Sequence, residues 1–319
     1  MKEVPDPAHE TAPLGQRGRY ASFVQVGAAL GAALGAIVWV AAQTLSQDAL
    51  MVWGWRAIFW SSIVVTIVAA LVRSKMNESP VFDDLKEAVD VVDRAPLAEV
   101  WHDGRGTVLR VLGSFFGAST HSYLYQVFMA SYLVTVLGME TTFIPPVLLI
   151  GALAAAVSAF VSGIISDRIG RRVWLLILCA VLAVTPFIAF PLLNTGNRFA
   201  IAGVIIFGFV FAAQGITGPQ MSFFPELFGS RYRYAGVTVG REFGSVVGGG
   251  LAPVFAASLL AWFGGSWVPV AIYMTLVMVV SFVSTYVSPE TLNRDLRVTT
   301  DAAPGEARQF VNGGWVQRR

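Results

Sequence analysis

The sequence predicts an all-α polytopic membrane protein, and three observations carry that prediction. Apolar runs of about twenty residues recur along the chain, long enough to cross a ~30 Å hydrocarbon core as helices. Of the 319 residues, 55% are hydrophobic and only 13% charged, with a mean hydropathy of +0.64; a soluble domain carries about a quarter charged residues. Finally, of the 22 lysines and arginines, all but Arg56 and Arg198 fall on one set of alternate connections.

Eight segments are predicted to span: Tyr20–Thr44, Trp55–Val72, Val108–Leu137, Thr142–Ser166, Val173–Leu193, Arg198–Ser222, Ala235–Trp262 and Ser266–Ser288. In hydrocarbon each must satisfy its own backbone, so each is a helix. An even number of spans puts both termini on one side, and the positive-inside rule makes that side cytoplasmic. The expected location is the inner membrane.

The segments group into five parts: a cytoplasmic lead (1–19), a pair of helices (20–72), a mixed-charge cytoplasmic connection (73–107), six helices (108–288) and a cytoplasmic tail (289–319). The connection holds Asp83, Asp84, Lys86, Glu87 and Asp93 and is expected to be a solvated linker with a short surface helix. The tail beyond Leu296 is rich in Gly, Ala and charge and is expected not to fold. Cys179 is the only cysteine, which rules out a disulfide framework. His9, His102 and His121 lie far apart without metal-ligand spacing, so neither metal nor cofactor is expected. A net charge of +2 gives no footprint for nucleic acid.

A weak repeat links the two ends. Gly15-Gln16-Arg17-Gly18-Arg19-Tyr20-Ala21 opens the first segment and Gly229-Ser230-Arg231-Tyr232-Arg233-Tyr234-Ala235 the seventh, with five of seven positions identical. Glu78-Ser79 and Glu290-Thr291 recur after the second and eighth. The first pair of helices therefore repeats the last pair, a parallel repeat of the kind transporters use.

The sharpest motif is Gly163-Ile164-Ile165-Ser166-Asp167-Arg168-Ile169-Gly170-Arg171-Arg172, between the fourth and fifth segments. Gly163 allows close helix approach and Gly170 a tight turn. Asp167 can accept from the free N–H groups at a helix start or pair with an arginine. A merely topogenic basic loop would explain Arg171 and Arg172, but not Gly163, Asp167 and Gly170 together. The stretch resembles the signature loop of the major facilitator superfamily, G-x-x-x-D-[RK]-x-G-[RK]-R, and matches every defined position.

Further stretches resemble one branch of that superfamily, the metabolite:proton symporters, which include shikimate, α-ketoglutarate, citrate and proline/betaine permeases. These are Trp53-Gly54-Trp55-Arg56, Glu78-Ser79-Pro80-Val81-Phe82, Pro225-Glu226-Leu227-Phe228 through Arg233-Tyr234 to Gly248-Gly249-Gly250-Leu251-Ala252-Pro253, and Ser288-Pro289-Glu290-Thr291. The resemblance implies that the eight segments correspond to helices five to twelve of a twelve-helix fold, without the first four. It also implies that Gly163, Asp167, Arg168, Gly170, Arg171 and Arg172 form a gating loop, with Asp167 near the start of the first segment, at Tyr20–Phe23, or near Arg17 or Arg19.

Small residues recur at spacing four: Gly27, Gly31 and Gly35 in the first segment, Gly151, Ala155, Ala159 and Gly163 in the fourth, and Gly236, Gly240, Gly244 and Gly248 in the seventh. Such stripes let helix backbones approach closely in lipid. On the resemblance they would face the seam between two halves that rock.

Intramembrane polar groups are candidates for translocation or binding. His121 shares a face with Gly113, Gly117 and Tyr125, and is read either as a proton carrier or as a packed neutral histidine. Arg241 and Glu242 point about 100° apart and need separate partners; Arg241 is read as part of a cytoplasmic charge lock or as a carboxylate clamp. Gln126 and Gln214 are read as cavity hydrogen-bonders or packing groups. On the resemblance, the faces bearing His121, Arg241 and the glycine stripe of the seventh segment would meet the absent helices.

The implied function is transport of a small polar metabolite, an organic acid or compatible solute, by alternating access with protons as the coupled ion. The alternative is a truncated membrane fragment that does not transport. The expected partners are the small-molecule substrate, protons and the lipid bilayer, with a separate N-terminal half or a second copy supplying the absent wall. No catalytic constellation is present in the sequence, so no enzyme activity is expected.

Overall fold

A computed structural model describes residues 13, 15–42, 44–75, 96–296, 298–311 and 314–317. Most of the lead, the Glu78–Phe82 stretch and the acidic run from Asp83 to Asp93 lie outside the described residues.

The described chain is a helical membrane protein. α1 is Arg17–Ala42. α2 covers 47–75, starting with Gln47–Ala49, passing a wide π turn at Leu50–Gly54 and continuing as Trp55–Lys75. α3, Pro96–Asp103, is the short surface helix expected in the connection. Its Val100 is buried and its Trp101 exposed.

α4 covers 105–135, with a π turn at Leu124–Phe128. α5 is Ile144–Ile169, started by Pro145 and ended by Gly170 at φ 112°. α6 comprises Arg171–Val184 and Pro186–Asn194, bent by 41°. Pro186 lacks the N–H that would continue the ladder, which accounts for the kink. α7 covers 198–227, with Asn197 capping its first turn by accepting from Phe199 N (2.9 Å) and Ala200 N (3.3 Å). α8 covers 233–262 and α9 is Val268–Tyr286. Glycines at positive φ make the turns before α5, α7 and α9: Gly138, Gly196 and the pair Gly264–Gly265.

Six of these helices are long and apolar enough to cross a membrane, and the bent α6 makes a seventh. The third predicted segment, α4, forms a helix of spanning length but does not meet that apolarity test. Most of the hydroxyls in its first four turns are turned inward. Ser114 meets Thr285 at 2.9 Å, and the Ser281 hydroxyl donates to Gly113 O (2.7 Å) while accepting from Gly117 N (2.8 Å). Thr120 donates to Gly248 O at 2.9 Å. These bonds tie α4 to α9 on one side and to α8 on the other. Composition underrates such a helix because its polarity is spent on its neighbours.

The six helices α4–α9 form one packed bundle, and α1 runs antiparallel along α5 while also touching the end of α7. The face α1 uses is Ala21, Gln25, Ala29 and Ala33, all buried. The predicted stripe Gly27, Gly31 and Gly35 faces away, and a Cβ at any of the three would meet nothing within 4 Å. The stripe on α8 is also reassigned. A Cβ on Gly240 would lie 2.9 Å from Val111, one on Gly244 3.1 Å from Leu112 O, and one on Gly248 2.4 Å from Phe116 O. These glycines seat α8 on α4 within the six-helix bundle, and Gly236 likewise lies against Phe228. On α5, Gly151 faces Phe209 of α7, while Gly163 faces Gly18 and Ser22 of α1.

The tail corrects another expectation. Residues 298–307 fold back over the bundle end, and β1 (Arg308–Val311) pairs antiparallel with β2 (Gly314–Gln317). Asp301 holds the tail in place: its carboxylate accepts from Thr107 Oγ1 (2.5 Å), Tyr232 OH (2.8 Å) and Gly229 N (3.1 Å). Composition suggests an unfolded chain here, but a charged anchor and backbone pairing to Leu227 and Ser230 supply the order.

Candidate functional site

The signature loop sits where α5 turns into α6, and its residues converge with the start of α1, the end of α7 and the segment after α9. Asp167 is the hub. One carboxylate oxygen accepts from Gly18 N at 2.9 Å and the other from Arg19 N at 2.8 Å. These are orphan donors of the first turn of α1, where the helix dipole favours a negative charge. Of the expected places, Tyr20–Phe23, Arg17 or Arg19, the contact falls at Arg19, through its backbone N–H, and extends to Gly18. Gly18 has to be glycine here: a Cβ would lie 2.2 Å from Arg171 Nη1 and 2.7 Å from Gly163 O.

Arg171 is fully buried and pairs at 2.7 Å with Asp167, four residues back across the Gly170 turn. Its Nη1 also donates to Ser166 Oγ (2.8 Å), and its Nε reaches Glu226 Oε2 at 3.4 Å. Glu226, itself 2% exposed, also accepts from Thr291 Oγ1 at 2.7 Å. Arg294 donates to Glu226 O (2.8 Å) and pairs with Glu306, and its own carbonyl accepts from Arg17 Nη1 at 2.6 Å. The chain of contacts is therefore closed. It runs from α1 through Asp167, Arg171, Glu226 and Arg294 and returns to α1 at Arg17. Glu290 completes the frame by accepting from Arg171 N (3.0 Å) and Arg172 N (3.1 Å), a carboxylate on the N-terminus of α6.

The loop is tight in some places and loose in others. Arg171 Nη2 and Glu226 Oε1 are buried without a hydrogen-bond partner, and the 3.4 Å Arg171–Glu226 contact is long for a charge-assisted bond. Buried ions are costly unless fully paired, so this arrangement can come apart at Arg171–Glu226 more cheaply than at Asp167. Arg168 is exposed.

The other candidates do not join this network. His121 is fully buried, its Nδ1 lying 3.1 Å from Gly117 O and its Nε2 without a partner. Tyr125 is also fully buried, its ring against Gly208 of α7. The His121–Tyr125 face thus points into the six-helix bundle, where it was expected to meet further helices. Arg241 lies outside the charge lock: its guanidinium sits 5.4 Å from the Phe115 ring centroid, and Nη1 reaches Met221 Sδ at 3.8 Å. Glu242 is exposed beside it. Gln126 is turned back on Ser122 (2.7 Å), and Gln214 accepts weakly from Thr217 (3.4 Å). Sequence reasoning gave no role to Glu226, Glu290, Arg294 or Asp301. Glu226 carried a signal, a carboxylate at the end of an apolar run; the other three acquire meaning only once the tail is folded.

The Major Facilitator Superfamily profile matches residues 8–240. The chain belongs to that superfamily. It is 30% identical over 305 residues to a putative metabolite transport protein of Haemophilus influenzae, covering 91% of this chain and 68% of that protein. It is 32% identical over 270 residues to the shikimate transporter of Escherichia coli, covering 83% of this chain and 61% of the relative. The Escherichia coli proline/betaine transporter is 28% identical over 319 residues, with 95% and 62% covered. The chain thus spans roughly two thirds of the length of these relatives.

Proposed function

We propose that this chain forms part of an inner-membrane carrier for a small polar metabolite, with the signature-loop end on the cytoplasmic side and both termini cytoplasmic. Charge placement supports that orientation: the connections at the signature end carry all the lysines and arginines except Arg56 and Arg198. The relatives' names point to an organic acid or a compatible solute as the substrate class.

The observation that carries the mechanism is the Asp167 carboxylate bridging two α1 N–H groups while paired to Arg171. α1 belongs to one moving half and α5–α6 to the other, so this bridge is a latch that holds the cytoplasmic side shut. Opening inward would withdraw α1 from Asp167, which stays paired with Arg171 in its own half. Proton coupling belongs to the same proposal. Of the two titratable candidates, Glu242 stands on an open face while His121 is sealed within the bundle, so Glu242 is the better placed to meet both solvent and a second half.

The test is uptake. The chain would be co-expressed with a four-helix segment from a relative, and accumulation of labelled shikimate, proline and betaine followed. One of the three is expected to accumulate, and Asp167→Asn is expected to cut accumulation at least tenfold while leaving expression intact. No uptake of any of the three by the assembled pair would contradict the transport reading.

A second reading is supported by α2 and by the α1 glycine face. Among the described residues from Trp55 to Ser74 none is buried, and a Cβ at Gly27, Gly31 or Gly35 would meet nothing within 4 Å. On that reading the chain alone is a membrane-inserted fragment that does not transport, and uptake by the unpaired chain would contradict it.

A further inference from the structure

Where α4, α6 and α9 converge at the signature end, the returning tail roofs a cavity of about 760 Å³, ample for a polar headgroup. Two arginines line it. Arg110, in the second turn of α4, makes no hydrogen bond or ion pair with any described residue. Arg172 lies against the Tyr286 ring, 4.9 Å from its centroid, and donates Nη2 to Tyr286 O at 2.5 Å; its Nε is buried without a partner. The lining's one carboxylate, Glu290, already accepts from the backbone N–H groups of Arg171, Arg172, Thr291 and Leu292. The cavity therefore offers two cations against one engaged anion, with guanidinium donors left to give.

The mouth decides what kind of anion enters. Its exposed rim includes Val173 (44% exposed), Val287 (55%) and Tyr286 (58%), apolar and aromatic groups of α6 and the end of α9, together with Ala303, Pro304 and Gly305 of the tail. A soluble anion would use the arginines alone, whereas a lipid would present its phosphate to the arginines and its chains to the valines. Basic pockets between helices at the cytoplasmic interface bind anionic headgroups, and the guanidinium fork matches phosphate oxygens.

We infer that this cavity binds the phosphodiester headgroup of an anionic phospholipid. With the orientation proposed above the lipid belongs to the inner leaflet; the binding itself does not rest on that orientation. A zwitterionic headgroup would bring its own cation against Arg110 and Arg172 and is disfavoured.

The test uses the full 319-residue chain purified in a neutral detergent, with lipid binding followed by native mass spectrometry. Dioctanoyl phosphatidylglycerol is expected to bind at least tenfold more tightly than dioctanoyl phosphatidylcholine. Arg110→Gln is expected to reduce that preference about tenfold, while Arg105→Gln, outside the cavity, leaves it unchanged. Millimolar inorganic phosphate is expected not to displace the lipid. Equal binding of the two lipids would overturn the inference, as would an unaltered preference in a helical Arg110→Gln protein. Displacement by inorganic phosphate would overturn it in favour of a soluble-anion site. Should Arg110→Gln fail to fold, Val287→Glu at the exposed rim decides: it is expected to abolish the preference, and an unchanged preference overturns the proposal. None of these readings depends on transport, so a failed uptake experiment leaves this test standing.

Discussion

Asp167 illustrates what a short motif conveys and what it leaves out. The spacing of Gly163, Asp167, Gly170 and Arg171 points to a carboxylate at a helix start, and the carboxylate is found on Gly18 N and Arg19 N. Its onward partners were not legible, because Glu226 and Arg294 arrive from 55 or more positions away and no local pattern ties them to Arg171. The glycine stripes were half legible. Spacing of four marks a face but not its neighbour, and in α1 the contacting face includes Gln25, which hides it among apolar residues. The pattern favours the glycines, whereas the packing uses alanines. A pair of substitutions separates these readings. Gly248→Ala would put its Cβ 2.4 Å from a backbone oxygen and is expected to destabilise the purified chain by about 1–3 kcal/mol. Gly27→Ala meets open space and is expected to shift thermal stability by less than about 0.5 kcal/mol. Equal thermal shifts for the two would contradict the assignment of the α8 stripe to the α4 contact. Arg171→Gln, which strands Glu226 in a buried site, is expected to cost about 3–5 kcal/mol in the same assay.

Among the elements, helix placement was largely legible because a run of about twenty apolar residues has few alternatives in a bilayer. α4 is the instructive case. Its hydroxyls weaken its apolarity, yet the segment is recognisable from the length of the run, and those hydroxyls bond α8 and α9. The tail was misread for the opposite reason. Its local composition carries no signal for folding, and its order depends on Asp301 and Arg294 meeting groups on distant helices. The orientation proposed for these elements can be checked directly. Reporter fusions at Gly138 and Gly196, both positive-φ turn glycines, are expected to report outside, and a fusion at Arg171 inside. An inside signal at Gly196 would contradict the orientation.

On the scale of the whole molecule, α1 is bound to a six-helix bundle by small-residue packing and by a closed ring of contacts at one end, in which charged side chains alternate with backbone groups. The aromatic pair beside the ring, Phe23 on α1 and Phe160 on α5 with centroids 5.2 Å apart, marks the same boundary. If α1 moves with a second half, this boundary opens whenever the cytoplasmic side opens, and Asp167 sets how firmly it stays closed. Cysteines at positions 23 and 160, in the chain paired with a four-helix segment from a relative, measure that movement. Cross-linking is expected to be efficient when the carrier is held facing outward, and to fall at least fivefold when it is held facing inward or carries Asp167→Asn. Equal cross-linking in both states, unaffected by Asp167→Asn, would contradict the latch.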